Sequence, residues 1–365
     1  MGILDFFDLK PLGAILGDLE TPVPVIDVDI VDANLKRWQA RSDALGLANR
    51  PNAKTHKLAE VAKYQLALGA SGISVQKLGE AEVVADARIS DILVTFNIVG
   101  ELKLVRLAAL ARRTAISVVA DSAEVARGIG GAGLVAGCDI AVLVECDTGA
   151  GRNGLQSADA AVALAKFVDA TPGVTYGGLM TYSAAGGRVK ADAFLAGARD
   201  LAAAAGLQTA TVGIGGSPDM WKDEGLSSAT EYRAGTYVHF DRSLIALGAC
   251  SYADCVLSLL AAMVSRPAPE RAIIDAGSKA LTSGPLGLEG YRVVHSLGDA
   301  QVYNVNEEHG YLDLSRVDVR PSIGDLVAIT PNHACPVSNL FDQVILVRGS
   351  EVLGRVGVDA LGLVQ

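Results

Sequence analysis

Hydrophobic and polar positions alternate in blocks along the first two thirds of the chain. Short apolar runs fall at residues 51–54, 72–75, 91–96, 116–121, 140–147, 176–183, 209–216 and 231–238. Between them lie Ala/Leu-rich segments (58–69, 80–88, 101–112, 123–136, 158–169 and 191–205) whose apolar residues recur at helical spacing. Several begin after a capping residue, as the segment after Asp121-Ser122 does. Eight β/α units of roughly 25 residues each predict parallel strands, because a crossover of that length returns the chain in the same direction. The near-continuous apolar run at 140–144 suits a strand covered on both faces. An open doubly wound sheet is the second choice. Residues 32–46 read as an amphipathic helix with Leu35, Trp38 and Leu45 on one side. After about residue 245 short β-rich segments (272–275, 291–294, 326–329, 344–348) are separated by Gly, Pro and Asp. The expected architecture is α/β: a (β/α)8 TIM-type barrel over residues 21–244, then a mainly antiparallel β domain over 245–365 that residues 1–20 join.

With 365 residues, half of them hydrophobic, the chain has material for a large core. A net charge of -10 argues against general nucleic-acid binding, which needs clustered Lys and Arg. The longest apolar runs, such as 256–264 interrupted by Ser258, are too short to span a bilayer. No basic segment followed by an apolar stretch opens the chain. The five cysteines (138, 146, 250, 255, 335) are irregularly spaced, and buried free thiols are expected for most of them. A cytoplasmic protein without membrane or nucleic-acid partners is the expectation.

Candidate chemistry sits at two distant places. Lys54, in Arg-Pro-Asn-Ala-Lys-Thr-His-Lys (50–57), falls at the carboxyl end of the first barrel strand, where active-site residues of such barrels collect. A lysine held there out of water loses its proton more readily and can attack a carbonyl to form an imine. His333 and Cys335, in Pro-Asn-His-Ala-Cys-Pro (331–336), offer an imidazole and a thiolate to one divalent ion, pointing the same way if the segment is extended. An isolated lysine in a basic turn, or a core cysteine beside a histidine, is the plainer reading of each. Together they suggest imine chemistry assisted by a metal. Gly213-Ile214-Gly215-Gly216-Ser217 follows the seventh run, where barrels often hold phosphate. Arg152, in a glycine-rich loop after the fifth run, has the geometry to donate to a phenolate or carboxylate. His239, His295 and His309 have no partner in the sequence and are expected to be structural, although His309 in Glu-Glu-His-Gly (307–310) has a weaker claim to reach a site.

These segments, with VQKLGEAE (75–82), GLMTY (178–182), TEYRAGTYV (230–238) and DAGSKALTS (275–283), resemble the D-threonine aldolase/D-serine dehydratase family of pyridoxal-phosphate enzymes, fold type III, alanine-racemase-like. The similarity runs from Thr21 to about Asp342. It implies that Lys54 forms the imine with the cofactor and that Gln76, Arg152 and Tyr182 line the pyridoxal ring. It further implies that Gly215, Gly216, Ser217 and Tyr237 hold the phosphate, and that His333 with Cys335 binds a divalent metal (Mn, Zn or Mg). A homodimer is implied, with the β domain of one chain approaching the barrel mouth of the other. Two positions depart from the family pattern. Asn52 stands where members often have histidine, and 183–187 (Ser-Ala-Ala-Gly-Gly) lacks a histidine that many carry.

The resulting expectation is a lyase that splits β-hydroxy-D-amino acids by retro-aldol cleavage, giving glycine and an aldehyde. The rival is a dehydratase acting on D-serine or D-threo-3-hydroxyaspartate with ammonia release. A non-catalytic pyridoxal-phosphate carrier, from a different class, fits less well, since such carriers lack a C-terminal β domain and a metal pair.

Overall fold

The computed structural model describes residues 2–9, 12, 14–288, 290, 292–294, 297–298, 300–318 and 320–365. The chain divides into two compact units. One comprises Arg37–Lys54, Ala62–Gly235 and Leu363–Gln365; the other comprises residues up to Lys36, Thr55–Val61 and Thr236–Gly362.

The first unit is the barrel. Its strands are β2 (Ala48–Asn49), β3 (Ile73–Val75), β4 (Asp91–Asn97), β5 (Ala115–Ala120), β6 (Ile140–Cys146), β7 (Val174–Thr181), β8 (Thr211–Gly215) and β9 (Glu231–Arg233), all in parallel pairs. The order β2-β9-β8-β7-β6-β5-β4-β3 leaves β2 and β3 to meet. They do so through a parallel bridge between Asn52 and Ser74, with Ala53 N–H on the Ser74 carbonyl at 2.9 Å and Ser74 N–H on the Pro51 carbonyl at 2.8 Å. The sheet closes. Leu93, Val119, Leu143 and Met180, from four successive strands, pack into one cluster that fills the ring.

Two expected strands are shorter than the apolar pattern suggested. The run at 51–54 contributes a single bridge, because Pro51 has no N–H and interrupts the ladder. The run at 231–238 ends at Arg233, before Ala234-Gly235, and Thr236–Val238 is a 3-10 turn. The crossover helices are α3 (Leu78–Asp86), α4 (Glu101–Ala111), α5 (Ala123–Ala136), α6 (Ala158–Asp169) and α7 (Arg188–Ala204). The Ser122 and Ser157 hydroxyls cap α5 and α6 by accepting the Val125 and Ala160 amides. Helix α1 (Val28–Ala44) starts four residues earlier than its amphipathic pattern. The Asp27 carboxylate, accepting the Asp29 amide at 3.0 Å, begins it there.

Among the described residues the second unit holds nine strands in the order β11-β14-β13-β12-β15-β10-β1-β16-β17. These are β1 (Val23–Asp27), β10 (Leu257–Ala268), β11 (Arg271–Ile274), β12 (Arg292–Val294), β13 (Ala300–Val305), β14 (Gly310–Asp313), β15 (Leu326–Pro331), β16 (Gln343–Arg348) and β17 (Glu351–Gly357). Among the described residues only β1 and β16 of this sheet pair in parallel. The sheet is therefore mainly antiparallel, and the early segment β1 lies inside it between β10 and β16. Leu259, Ala261, Met263, Ile274, Val302, Leu312 and Ile329 form the middle of its larger core. Tyr291, which opens one of the expected β segments, lies outside the described residues, as does His295.

The cysteines are free, but fewer are buried than expected. Cys138 is exposed and Cys250 and Cys335 are half-buried, against buried Cys146 and Cys255. Cys138 lies before the apolar core of β6 rather than in it. Among the described residues no helix is long and apolar enough to cross a membrane.

Trp38 anchors the barrel end of α1. Its side chain is 0% exposed, its ring meets those of Tyr232 and Trp221 edge-on, and its indole N–H donates to Asn49 Oδ1 at 3.0 Å. Trp38→Ala is expected to lower unfolding stability by about 3–5 kcal/mol in urea denaturation. Trp38→Phe, which fills most of the space but leaves the buried Asn49 oxygen without its donor, should cost about 1–3 kcal/mol. A change under about 1 kcal/mol for the alanine variant would show that α1 is not anchored here.

Candidate active site

In the barrel unit the chemistry gathers after the carboxyl ends of the strands. Lys54 lies in the turn that follows the Asn52 bridge and is half-buried; its amide donates to Asn52 Oδ1 at 3.0 Å, an Asx turn that shapes the loop. The Gln76 side chain is fixed between β3 and β4: its Nε2 donates to the Thr95 carbonyl at 2.8 Å and its Oε1 accepts from Thr95 Oγ1 at 3.2 Å.

Beyond β6 the glycine-rich loop carries Arg152, whose guanidinium stacks over the Tyr182 ring at 4.8 Å and lies 3.7 Å from Glu145. Glu145 is only 1% exposed, and burial pushes its carboxyl up to about 7, against the attraction of Arg152 and Arg233. Arg233 is buried too; it pairs with Glu231 at 3.5 Å and donates to the Thr181 carbonyl at 2.9 Å.

The glycines after β8 are needed because neighbours crowd them. A Cβ on Gly213 would sit 1.9 Å from Arg233 Nη1, and one on Gly215 would sit 2.2 Å from the Arg233 carbonyl oxygen. Gly216 has a φ of 133°, in the region that favours glycine. Its N–H is engaged by the Arg233 carbonyl at 3.0 Å, so it is not free for an anion. The Ser217 hydroxyl differs: it is buried in this cradle with no hydrogen-bond partner. An orphaned donor in a glycine-lined cradle suits a phosphate oxygen.

In the other unit, His333 and Cys335 do converge, but not as alternate residues of a strand. His333 is extended and forms the N-cap of a short helix α10 (Ala334–Ser338) that contains Cys335. The helical turn still keeps the thiol near enough to the imidazole to favour its protonated form. Strand β15 ends at Pro331, so the extended path stops before the thiol is reached. The Cys335 sulfur also lies 3.1 Å from Thr55 Oγ1 and 3.8 Å from Thr236 Oγ1. Thr55 is the residue after Lys54 in the chain. Tyr237, buried in the 3-10 turn Thr236–Val238, belongs to this unit.

Asp241 was not singled out in the sequence. It caps a helix: its Oδ1 accepts from the Leu244 amide and Ser243 Oγ at the start of α8 (Arg242–Ala246). Its Oδ2 accepts from the Ala334 amide at 3.0 Å and meets His333 Nδ1 at 2.7 Å. Burial works against the His333 imidazolium, but Asp241 and Cys335 outweigh it and raise the group to about 10. With Nδ1 held by a carboxylate, Nε2 is the nitrogen that would give up its proton to bind a metal ion, the arrangement of a metal-binding histidine. With the Cys335 sulfur this gives one nitrogen and one sulfur donor, a set that suits a borderline-soft divalent ion. Among the described residues no group of three or more His, Cys, Asp and Glu side chains forms a complete ligand shell. Two protein ligands leave room for water and substrate.

The remaining histidines divide. Burial depresses His239 to about 4. His309 is exposed, in the turn where Lys279 pairs with Glu308 at 2.5 Å.

Residues 26–243 match the family "Alanine racemase, N-terminal domain", and residues 256–347 match "Putative serine dehydratase domain". The chain is 34% identical to a D-threonine aldolase of Arthrobacter sp over 92% of this chain and 91% of that protein. It is 33% identical to the D-threo-3-hydroxyaspartate dehydratase of Delftia sp. (strain HT23), over 91% and 96%. Among solved structures it matches the D-threonine aldolase from Filomicrobium marinum with a TM-score of 0.90 and 29% identity, over 98% of this chain and 100% of that one. A D-threo-3-hydroxyaspartate dehydratase solved as a cysteine-to-alanine mutant in the metal-free form matches with a TM-score of 0.85 and 30% identity, over 94% and 98%. With both halves matched and relatives aligned along nearly its whole length, the chain belongs to the alanine-racemase-like family of D-threonine aldolases and D-serine dehydratases.

Proposed function

We propose that the protein is a pyridoxal-phosphate- and divalent-metal-dependent lyase that cleaves β-hydroxy-D-amino acids by a retro-aldol reaction, of the D-threonine aldolase type. The observation that carries this reading is the Thr55–Cys335 contact at 3.1 Å: the residue bonded to Lys54 in the chain touches one half of the metal pair. Lys54 supplies the amine that tethers the cofactor, and the Ser217 hydroxyl in its glycine cradle receives the phosphate. Arg152 and Tyr182 offer a cationic and an aromatic face to the ring. Asp241 holds the His333 ring so that His333 and Cys335 present their donors to one ion. When bound, pyridoxal phosphate supplies an electron sink for the carbanion left at the α-carbon, and a divalent ion supplies a Lewis acid for the β-hydroxyl.

A dehydratase remains the second reading, favoured by the loop at 183–187. It carries no imidazole to take the β-hydroxyl proton, and the Ser183 hydroxyl is already engaged with the Gly215 carbonyl at 3.2 Å. In that reaction Lys54 would remove the α-proton and the hydroxyl would leave. The similarity to a 3-hydroxyaspartate dehydratase supports it as well.

Product analysis separates the two. D-threonine should give glycine and acetaldehyde; ammonia with 2-oxobutyrate from D-threonine, or with pyruvate from D-serine, would replace the aldolase reading by the dehydratase one. Neither product set from a cofactor-loaded protein would remove both and leave the carrier. The lysine is tested separately: Lys54→Ala should lose the visible absorption of bound pyridoxal phosphate, and a variant that keeps it takes Lys54 out of its role. For the metal pair, Asp241→Asn should weaken divalent-ion binding about 10- to 100-fold in chelator competition. Cys335→Ala should weaken it further while preserving the visible absorption. Unchanged metal content in both variants would place the metal elsewhere.

A further inference from the structure

Strand β6 runs Ile-Ala-Val-Leu-Val-Glu-Cys, so one carboxylate follows five apolar residues into the barrel wall. A carboxylate so deeply buried is costly to ionise unless fixed partners hold it. Glu145 has them. Its Oε2 accepts from Asn153 Nδ2 at 2.5 Å, and its Oε1 lies 3.7 Å from Arg152 Nη2. The loop that carries both partners is folded back on the strand. The Leu155 amide donates to the Glu145 carbonyl, and the Asp147 amide donates to the Leu155 carbonyl, each at 2.9 Å. Asp147 Oδ1 gathers the amides of Gly149, Ala150 and Gly151. At Gly154, with a φ of 117°, a Cβ would come within 2.5 Å of the Asp147 nitrogen, so the return depends on glycine.

Arg152 itself is half exposed, a long side chain with much rotamer freedom to lose. Three contacts restrain it: Glu145, the Asn153 Oδ1 that accepts its Nε–H at 3.0 Å, and the Tyr182 ring. Asn153 thus bridges the two, donating to Glu145 and accepting from Arg152. Arg233 also attracts Glu145, but its own contacts are Glu231 at 3.5 Å and the Thr181 carbonyl at 2.9 Å, so the direct side-chain partners of Glu145 are Asn153 and Arg152.

We propose that Glu145 is a positioning residue: with Asn153 it clamps the Arg152 guanidinium over Tyr182, in the orientation in which Arg152 meets the pyridoxal ring. This rests on the cofactor reading given above. The grip is strongest when Glu145 is ionised. Its burial, opposed by Arg152 and Arg233 and reinforced by Asp121 and Asp147, puts that change near neutral pH, with the clamp tight above about 7 and loosened below.

The test is titration of the apoprotein with pyridoxal phosphate, read by visible absorption, in wild type, Glu145→Gln, Asn153→Ala, Arg152→Ala and the two doubles with Arg152→Ala. Glu145→Gln should weaken cofactor binding about 10- to 100-fold, by analogy with the loss when a partner orienting a metal ligand is removed. Wild type is expected to show a spectral titration near pH 7, and Glu145→Gln should abolish it. Asn153→Ala, on the surface loop and therefore less exposed to folding failure, should shift binding in the same direction. In the Arg152→Ala background either substitution should change affinity less than about threefold, since the side chain through which it acts is gone. Equal losses in both backgrounds, or unchanged affinity and an unchanged titration in the single variants, would overturn the clamp while leaving the cofactor reading standing. A wild type that binds no pyridoxal phosphate overturns the reading and the clamp together.

Discussion

The buried carboxylate of Asp241 is the constraint on which the placement of His333 and of two short helices depends. It is 0% exposed, and each of its oxygens accepts from two donors or more. One oxygen starts helix α8; the other joins the first amide of α10 to the His333 ring. One side chain therefore sets the path of two short helices and the orientation of an imidazole. Neither helix is long enough to be stable alone, so tertiary bonds must define both. With both oxygens held by fixed donors, the carboxylate has one orientation open to it, and that orientation sets where it meets His333 Nδ1.

The barrel unit uses charge differently. Arg50 joins Glu231 at 2.6 Å and Asp91 at 2.7 Å, and Glu231 continues to Arg233. Glycines make room for these guanidiniums: a Cβ at Gly72 would fall 2.3 Å from Arg50 Nη1, as one at Gly213 would meet Arg233. The glycine at 213, which looks from sequence like part of a phosphate loop, is thus required by an arginine. The unpartnered donor of that loop is the buried hydroxyl of Ser217, four residues on. In this unit buried ions are tied to one another, whereas Glu145 is tied to a half-exposed arginine.

How much was legible follows from the range of the interactions involved. The β/α alternation was readable because strand and helix periods are local, and it led to the eight-stranded parallel sheet. Boundaries slipped where a single residue overruled the pattern, as Pro51 does in the first strand and Asp27 does at the start of α1. The His333/Cys335 pair was visible by spacing, yet its geometry was misjudged: a proline-bounded loop was read as extended, and the turn that Asp241 caps makes it helical. Asp241, Glu145 and Thr55 carried no separate signal. An aspartate before a helix, a glutamate at a strand end and a threonine in a turn each have an ordinary local explanation.

The chain by itself determined the architecture and the kinds of donor available, since periodicity, turn chemistry and residue type act over a few neighbours. Tertiary structure decided which donors meet and what holds them. Bringing Asp241 to His333 or Thr55 to Cys335 requires contacts 92 and 280 residues apart in sequence. Such contacts form because burial of many apolar side chains brings distant segments together, and no local pattern records which polar pairs that collapse will leave face to face.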